Sequence, residues 1–126
     1  MLRAIALARA AIGAATFLTI SSAFAGDLTS AEIQNELVGR QIVWWEDGGW
    51  LIGRLTLGRN GSAEISIDRP EPQADVGHWA FRDGELCTEW SRIRSGAEKC
   101  YSLRRAANGR FVTSGGNIFE IREAGV

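Results

Sequence analysis

Apolar and polar positions along the chain form two patterns, a short helical one followed by a long alternating one. In the segment LTSAEIQNELVG, Ile33 and Leu37 are four residues apart and share one helix face. Thr29 and Glu32 have the capping-box spacing, and Gly39 supplies a stop signal. The pattern therefore predicts one short helix near the N-terminus of the folded part.

Turn dipeptides recur at short intervals after this helix and divide the remaining chain into short β-prone runs. They are Asp47-Gly48, Asn60-Gly61, Asp83-Gly84, Asn108-Gly109 and Gly115-Gly116. Consecutive hairpins have this spacing. We expect about eight strands, near residues 41–47, 50–57, 62–68, 77–82, 85–91, 98–105, 110–114 and 117–122. The one long connection is expected at RPEPQADV, which holds both prolines.

Eight antiparallel strands in a meander can close into a small barrel, and closure removes the exposed strand edges. A curled open sheet is the alternative arrangement of the same strands. The sequence therefore predicts a mainly β domain that carries one short N-terminal helix.

The segment VWWEDGGW, residues 43–50, makes the first hairpin and carries three tryptophans. A turn at Gly48-Gly49 pairs Trp45 with Ile52, whereas a turn at Asp47-Gly48 pairs Trp45 with Trp50. Both registers produce the same two faces, because alternate residues of a strand share a face. The face predicted to join the core comprises Ile42, Trp44, Leu51, Leu55 and Leu57.

The opposite face of this hairpin is more apolar than an ordinary solvent-facing surface. It comprises Gln41, Val43, Trp45, Trp50, Ile52 and Arg54. Large exposed apolar patches usually mark contact sites, so the candidate ligand-binding residues are Trp45, Trp50, Ile52 and Arg54. The alternative is that the N-terminal helix covers this face, with Ile33 and Leu37 packed on Trp45 or Trp50.

The segment GHWAFRDGELCTEW predicts a second hairpin with a type I′ turn at Asp83-Gly84. Its inner face holds Trp79, Phe81, Leu86, Thr88 and Trp90, and its outer face holds His78, Ala80, Cys87 and Glu89. On the next strand Cys100 falls on the outer face opposite Cys87, while Tyr101 and Leu103 point inward. Leu103 and Phe111 cannot both face inward without a bulge near Ala106-Ala107.

The first 25 residues have the layout of a secretory signal. Arg3 and Arg9 give a positive start, an apolar run covers residues 10–20, and Ala23-Phe24-Ala25 is an A-x-A cleavage site. The run is shorter than the roughly 20 apolar residues that span a bilayer. We expect cleavage after Ala25, no membrane span afterwards, and a single β domain over residues 26–126.

Signal removal takes two arginines from the chain and changes its charge balance. The mature part keeps twelve basic residues against fifteen acidic ones, a net charge of −3. A nucleic-acid partner normally requires a clearly basic face. We therefore expect no nucleic-acid partner.

Cys87 and Cys100 are the two cysteines of the chain. An even cysteine count in an exported protein most simply indicates a disulfide. The chain has no C-x-x-C motif, and two cysteines with one histidine make no zinc site without carboxylates. We expect a Cys87–Cys100 disulfide, and neither a metal nor a cofactor.

The second hairpin and its continuation, EKCYSLRR with a closing G-x-F…F-E-I, resemble small exported bacterial proteins of unknown function. Those proteins share the pattern G-x-W-x-x-x-x-G-x-L-C-x-x-W…C-Y, and the match covers roughly residues 77–121. The resemblance implies a periplasmic β-protein with one disulfide. It supplies no activity, cofactor or catalytic residue, and it leaves the tryptophan hairpin outside the match.

Residues that carry chemistry are few. His78 is the single histidine, and Glu89 is expected beside it on the outer face, where such pairs are weak. No G-x-S-x-G motif is present to place a serine nucleophile. A basic run of Arg92, Arg94, Lys99, Arg104 and Arg105 indicates either a contact with an anionic envelope polymer or a solvated face. We therefore expect no catalytic residues.

These observations favour a non-catalytic periplasmic or secreted binding module that uses either its outward tryptophans or a barrel mouth. The expected partner is an envelope glycan, a small apolar ligand or a periplasmic protein. An inhibitor of a protease or a lysozyme is the alternative function, because small disulfide-bonded β-barrels serve as such inhibitors. A small enzyme is the third class.

Overall fold

The computed structural model describes residues 26–122, so the predicted signal peptide lies outside the described part. The protein is mainly β, as predicted, with one helix, α1 (Ser30–Glu36). The strands are β1 (Gln41–Glu46), β2 (Ile52–Leu57), β3 (Ser62–Arg69), β4 (Gln73–Arg82), β5 (Glu85–Trp90), β6 (Lys99–Tyr101), β7 (Leu103–Arg105), β8 (Phe111–Thr113) and β9 (Asn117–Arg122). Single 3₁₀ turns lie at Ile93–Gly96 and Ala107–Gly109.

All nine strands belong to one antiparallel sheet with the order β6-β5-β4-β3-β2-β1-β9-β8-β7. The two edge strands, β6 and β7, are consecutive in the chain and are separated only by Ser102. Ser102 N donates to Ser114 Oγ at 3.1 Å, and Ser114 N donates to Ser102 O at 2.9 Å. One segment thus pairs with β5 through its first half and with β8 through its second half. The sheet consequently curls into a nearly closed barrel.

The strand predicted over residues 98–105 is this closing segment. It was expected as a single strand, and its change of partner at Ser102 divides it into β6 and β7. The sheet has nine strands instead of the predicted eight because this segment is divided in two.

Two inward-facing glycines allow neighbouring strands to approach closely where the sheet curls. A Cβ on Gly53 would lie 1.8 Å from the Ser66 carbonyl oxygen, and one on Gly77 would lie 1.9 Å from that of Glu89. The pairing of β2 with β3 also shifts register between Ile52 and Gly53. Gly53 therefore marks a bulge, a device that strengthens the local twist of a sheet.

Two connections differ from the sequence prediction. Strand β4 begins at Gln73, so the expected long connection at RPEPQADV is only residues 70–72. No bulge interrupts the pairing of β7 with β8; instead Arg105 pairs with Phe111 across a five-residue connection that contains a 3₁₀ turn. Because the connection has five residues, Leu103 and Phe111 face the same side of the sheet without a bulge. Both side chains are buried.

Helix α1 closes one end of the barrel. Its capping box is formed as predicted, because Glu32 N donates to Thr29 Oγ1 at 3.1 Å and Thr29 N donates to Glu32 Oε1 at 2.9 Å. Ile33 and Leu37 are fully buried in the main core cluster, with Ile42, Leu57, Leu103 and Phe111.

A charged contact holds this helix against the barrel wall. Both Nη atoms of Arg105 on β7 donate to the Glu36 carboxylate, at 2.6 and 2.5 Å. These hydrogen bonds lower the pKa of Glu36. The carboxylate consequently stays ionised and paired over the physiological pH range.

The predicted disulfide joins β5 and β6, where Cys87 and Cys100 are directly opposed in the sheet. The cysteines are 13 residues apart. In the chain-entropy model a loop of this size stabilises the folded state by about 3 kcal/mol.

We expect the Cys87→Ser/Cys100→Ser protein to lose about that much unfolding free energy in urea titrations. An unchanged urea midpoint, or two titratable thiols in the denatured wild-type protein, would contradict this expectation.

Candidate functional site

The four predicted binding residues lie on the outside of the barrel, where Trp45, Trp50 and Ile52 line one shallow concavity that does not include Arg54. Trp45 pairs with Ile52 across β1 and β2, which is the register expected for a turn at Gly48-Gly49. Trp50 lies in the connection between these strands, and 86% of its surface is exposed. Arg54 is also exposed and donates to Asp68 Oδ1 at 3.3 Å.

The apolar part of this outer surface extends further than the first hairpin. Trp45 is flanked by Ile52 on β2 and by Ile118 on β9, and Ile118 is in turn paired with Val112 on β8. These four side chains are half-buried and form a row across four strands. Ile118 and Val112 were not among the predicted residues, since the pairing of β1 with β9 joins residues that are distant in the chain.

Arg110 covers part of this row. Its guanidinium carbon lies 5.1 Å from the centre of the Trp45 ring, a cation–π distance. Arg110 Nε also donates to Glu120 Oε1 at 2.9 Å. Hydrogen bonds from Arg122 and Arg110 lower the pKa of Glu120. The carboxylate therefore remains charged and holds Arg110 over the tryptophan.

The alternative that α1 covers the outer surface does not hold for Trp50. Ile33 and Leu37 pack into the core cluster that includes Trp44, on the inner side of the sheet. Trp50 remains almost fully exposed. The helix therefore occupies one end of the barrel interior, and the side chain identified above Trp45 is that of Arg110.

A second site lies inside the barrel, toward the strand ends opposite α1. Here the interior forms an open cup with a volume of about 190 Å³. Its apolar lining includes Trp44, Leu55, Ile65, Trp90, Tyr101 and Phe119. Small apolar-lined concavities with a few polar groups are the usual form of small-molecule sites.

Trp44, which lines this cup, carries a buried polar group without a hydrogen-bond partner in the described part of the chain. The residue is only 7% exposed, and its Nε1 has no hydrogen-bond acceptor among residues 26–122. The inward-facing Trp79, by contrast, donates its Nε1 to Gly58 O at 2.7 Å. Leaving a buried donor unpaired costs about 1–3 kcal/mol.

A strained turn carries Arg94 to the mouth of the cup. Arg94 and Ser95 both have left-handed backbones, with φ of 57° and 55°. Non-glycine residues in this region cost free energy and are enriched at functional sites. Arg94 Nη2 donates to the Oγ1 of Thr88, a buried inner-face residue, at 3.2 Å.

Asp75 fixes the start of this turn from inside the barrel. Its side chain is 3% exposed, and Oδ2 accepts from Arg92 N at 2.8 Å and from Ile93 N at 2.9 Å. The hydrogen bond from Ile93 N is the largest cause of a lowered Asp75 pKa. One buried carboxylate therefore anchors the segment that positions Arg94.

Lys99 and Glu46 are the other charged residues at the cup. Lys99 pairs with Thr88 across β6 and β5, so it lies on the inner face that Thr88 occupies. Its Nζ is 3.5 Å from the position that a Cβ of Gly115 would take, in the turn between β8 and β9. The lysine thus extends from β6 toward this turn across the mouth.

The predicted basic run is consequently divided among several environments. Arg92 Nε is 3.8 Å from Asp75 Oδ1, and Arg105 holds Glu36. Arg94 and Lys99 line the cup. Arg104 is exposed, and it pairs with Val112 of the outer row. The run therefore forms no single surface for an anionic polymer.

His78 is exposed on β4 and lies opposite Glu89 on β5, as expected.

Burial raises the pKa of Tyr101, which lines the cup, to about 12, so its hydroxyl is neutral at physiological pH. Within the described part of the chain, three potential metal ligands meet only at Cys87, Glu98 and Cys100. The two sulfurs there are bonded to each other and are not available as thiolate ligands.

Comparisons with protein-family models, curated proteins and solved structures find no match to this chain. Over residues 26–122, no helix has the length and apolar character needed to cross a bilayer.

The three tryptophans of the first hairpin should differ in their effects on stability. Trp44→Ala removes a nearly fully buried ring and is expected to cost about 3–5 kcal/mol of unfolding free energy. Trp50→Ala should change it by about 0.5 kcal/mol or less. Trp45→Ala should fall between them, because its ring is half-buried beneath Arg110. Urea titrations of the three variants measure the order, and equal losses for Trp44 and Trp50 would contradict it.

Asp75 should make the folded state sensitive to acid. Its pKa is lowered in the folded protein, so the stabilisation is fully present above the unfolded value of about 4 and is lost as pH falls below it. Asp75→Asn should be less stable than wild type at pH 7, and its unfolding free energy should fall less steeply below about pH 4. Parallel acid dependences for the two proteins would show that Asp75 does not anchor the turn as described.

Proposed function

We propose that this protein is a non-catalytic binding module of an exported compartment and that it binds a small molecule in the interior cup. The observation that carries this proposal is the incomplete filling of the barrel. Apolar side chains and α1 fill one end, whereas the other end keeps an open volume of about 190 Å³. Barrels of about eight strands either fill their interior with side chains or hold one small ligand.

The volume limits the size of the ligand. An apolar cavity of about 150 Å³ is large enough to bind benzene. The cup is somewhat larger and is open at its mouth, so it suits one aromatic ring or a short chain with a polar end. The buried N–H of Trp44 favours a ligand that also carries an acceptor, which it would reach after a small movement of the indole ring.

Export to the periplasm is part of the same proposal. The disulfide between β5 and β6 is compatible with an oxidising compartment. The A-x-A sequence ending at Ala25 supports cleavage of a signal peptide. A ligand-binding module there would meet small molecules that enter through the cell envelope.

The arrangement of side chains favours binding over catalysis. His78 is on the outer face of β4, whereas the cup is on the inner face of the sheet. Tyr101 is a weak acid at neutral pH because its pKa is raised by burial. The cup thus offers hydrogen bonds, charges and aromatic surface, and the described residues place no activated nucleophile and base together there.

Recognition of a larger partner through the outer surface is the second candidate function. The specific observation in its favour is Trp50, a large aromatic side chain that is 86% exposed next to the row formed by Ile52, Trp45, Ile118 and Val112. Such a surface suits a periplasmic protein or an envelope glycan, and inhibition of a protease or a lysozyme belongs to this candidate.

Three probes of equal shape and different charge test the proposed small-molecule site: phenylacetate, 2-phenylethanol and 2-phenylethylamine. At least one should cause saturable NMR shifts in inner-face residues such as Ile65 and Phe119. Ile65→Phe narrows the cup and should weaken that binding about tenfold, roughly 1.4 kcal/mol, whereas the exposed Trp50→Ala should leave it unchanged. Shifts confined to the Trp50 hairpin would favour the outer surface instead. Absence of binding by all three probes would contradict the small-molecule proposal.

A further inference from the structure

We infer that the ligand of the cup is an anion, a small aromatic or short-chain carboxylate, whose charge is recognised at the mouth by Arg94 and Lys99. This inference rests on the proposed function. The apolar part of such a ligand would pack against Trp44 and Phe119 in the cup, while its carboxylate would remain at the mouth.

Two basic residues, Arg94 and Lys99, line the mouth of the cup. Lys99 is the cross-strand neighbour of Thr88, and Arg94 Nη2 donates to Thr88 Oγ1 at 3.2 Å. Thr88 itself is 2% exposed. A lysine on the inner face of a barrel is unusual, because that face is normally filled by apolar side chains. Arg94 and Lys99 together give the mouth of the cup two positive charges.

The contacts of these two cations differ from those of several other arginines. Neither Arg94 nor Lys99 forms an ion pair within residues 26–122, whereas Arg54, Arg82 and Arg105 elsewhere on the protein each contact a carboxylate. The guanidinium of Arg94 has five N–H donors. Its side-chain contacts are the bond to Thr88 and a long one of 3.5 Å to Ala97 O. Donors therefore remain for a carboxylate, which arginine can bind in a bidentate manner.

The turn that carries Arg94 is strained, and this strain costs free energy. Its left-handed conformation is maintained by Asp75, which accepts hydrogen bonds from the two N–H groups just before Arg94 in the chain. Arg94 is an exposed residue, yet its Nη2 is directed to the hydroxyl of Thr88 on the inner face. The strained turn is therefore best explained as a means of placing this side chain beside the cup.

Glu46 sets a limit on the ligand charge. It is at the end of β1, on the same side of the strand as the inward-facing Trp44, and it lines the same cup. With two cations and one carboxylate, the mouth favours one negative charge and disfavours a positive ligand. The expected order of affinity is phenylacetate, then 2-phenylethanol, then 2-phenylethylamine.

Charge-neutralising variants test this inference with the oxidised mature protein. Phenylacetate should bind about tenfold more tightly than 2-phenylethanol, in keeping with the greater strength of charge-assisted hydrogen bonds. Lys99→Gln and Arg94→Gln should each remove much of this difference, while their affinity for 2-phenylethanol should be unchanged. Arg104→Gln is the matched control, since it removes a cation from the outer face of β7 and should leave both affinities as in wild type.

Each outcome can be assigned. If 2-phenylethanol binds as tightly as phenylacetate, the anion inference is wrong and the cup remains a small-molecule site. If Arg104→Gln weakens phenylacetate as much as Lys99→Gln does, the selectivity comes from net charge, which also overturns the assigned roles of Lys99 and Arg94. Hexanoate in place of phenylacetate distinguishes aliphatic from aromatic carboxylates as the preferred class. If no probe binds, the proposed function itself fails.

Discussion

Closure of the sheet by one segment is the constraint on which the rest of the structure depends. The chain between Lys99 and Arg105 supplies both edges of the sheet, because it pairs first with β5 and then with β8. A sheet that must meet itself at Ser102 has a fixed circumference and therefore a fixed interior. That interior is occupied by side chains, by α1, by water or by a bound molecule, and side chains and α1 together fill one end only.

The closing segment also connects stability to the cup. Cys100 in β6 bonds to Cys87, and Arg105 in β7 holds Glu36 of the helix. Lys99 and Tyr101 belong to the same segment and line the cup. The residues that keep the barrel closed are thus neighbours of those proposed to hold a ligand. Contacts that keep the barrel closed also keep the cup formed before a ligand binds. A site that is already formed lowers the entropic cost of binding.

Local pattern was sufficient to predict much of the fold. Alternation placed Trp44 in the core and Trp45 outside, and parity placed Cys87 opposite Cys100. The position of the helix was not predictable in this way. An apolar stripe formed by Ile33 and Leu37 requires a partner surface but does not specify which, and the barrel interior competes with the outer face. The length of β4 was also hidden, because proline and acidic residues in RPEPQADV favour a loop locally, while tertiary pairing extends the strand to Gln73.

The cup itself depends on volumes that no local pattern contains. Strand alternation predicts that Trp44, Leu55 and Tyr101 point inward. Whether they fill the barrel or leave space depends on the total volume of all inward side chains and on the size of the closed barrel. One local signal was nevertheless present. Lys99 has the same parity as Tyr101 and Leu103, and a lysine at an inward position conflicts with a filled apolar core. Such a conflict between residue type and position is characteristic of sites kept for function at some cost to stability, and here it identifies the end of the barrel that remains open.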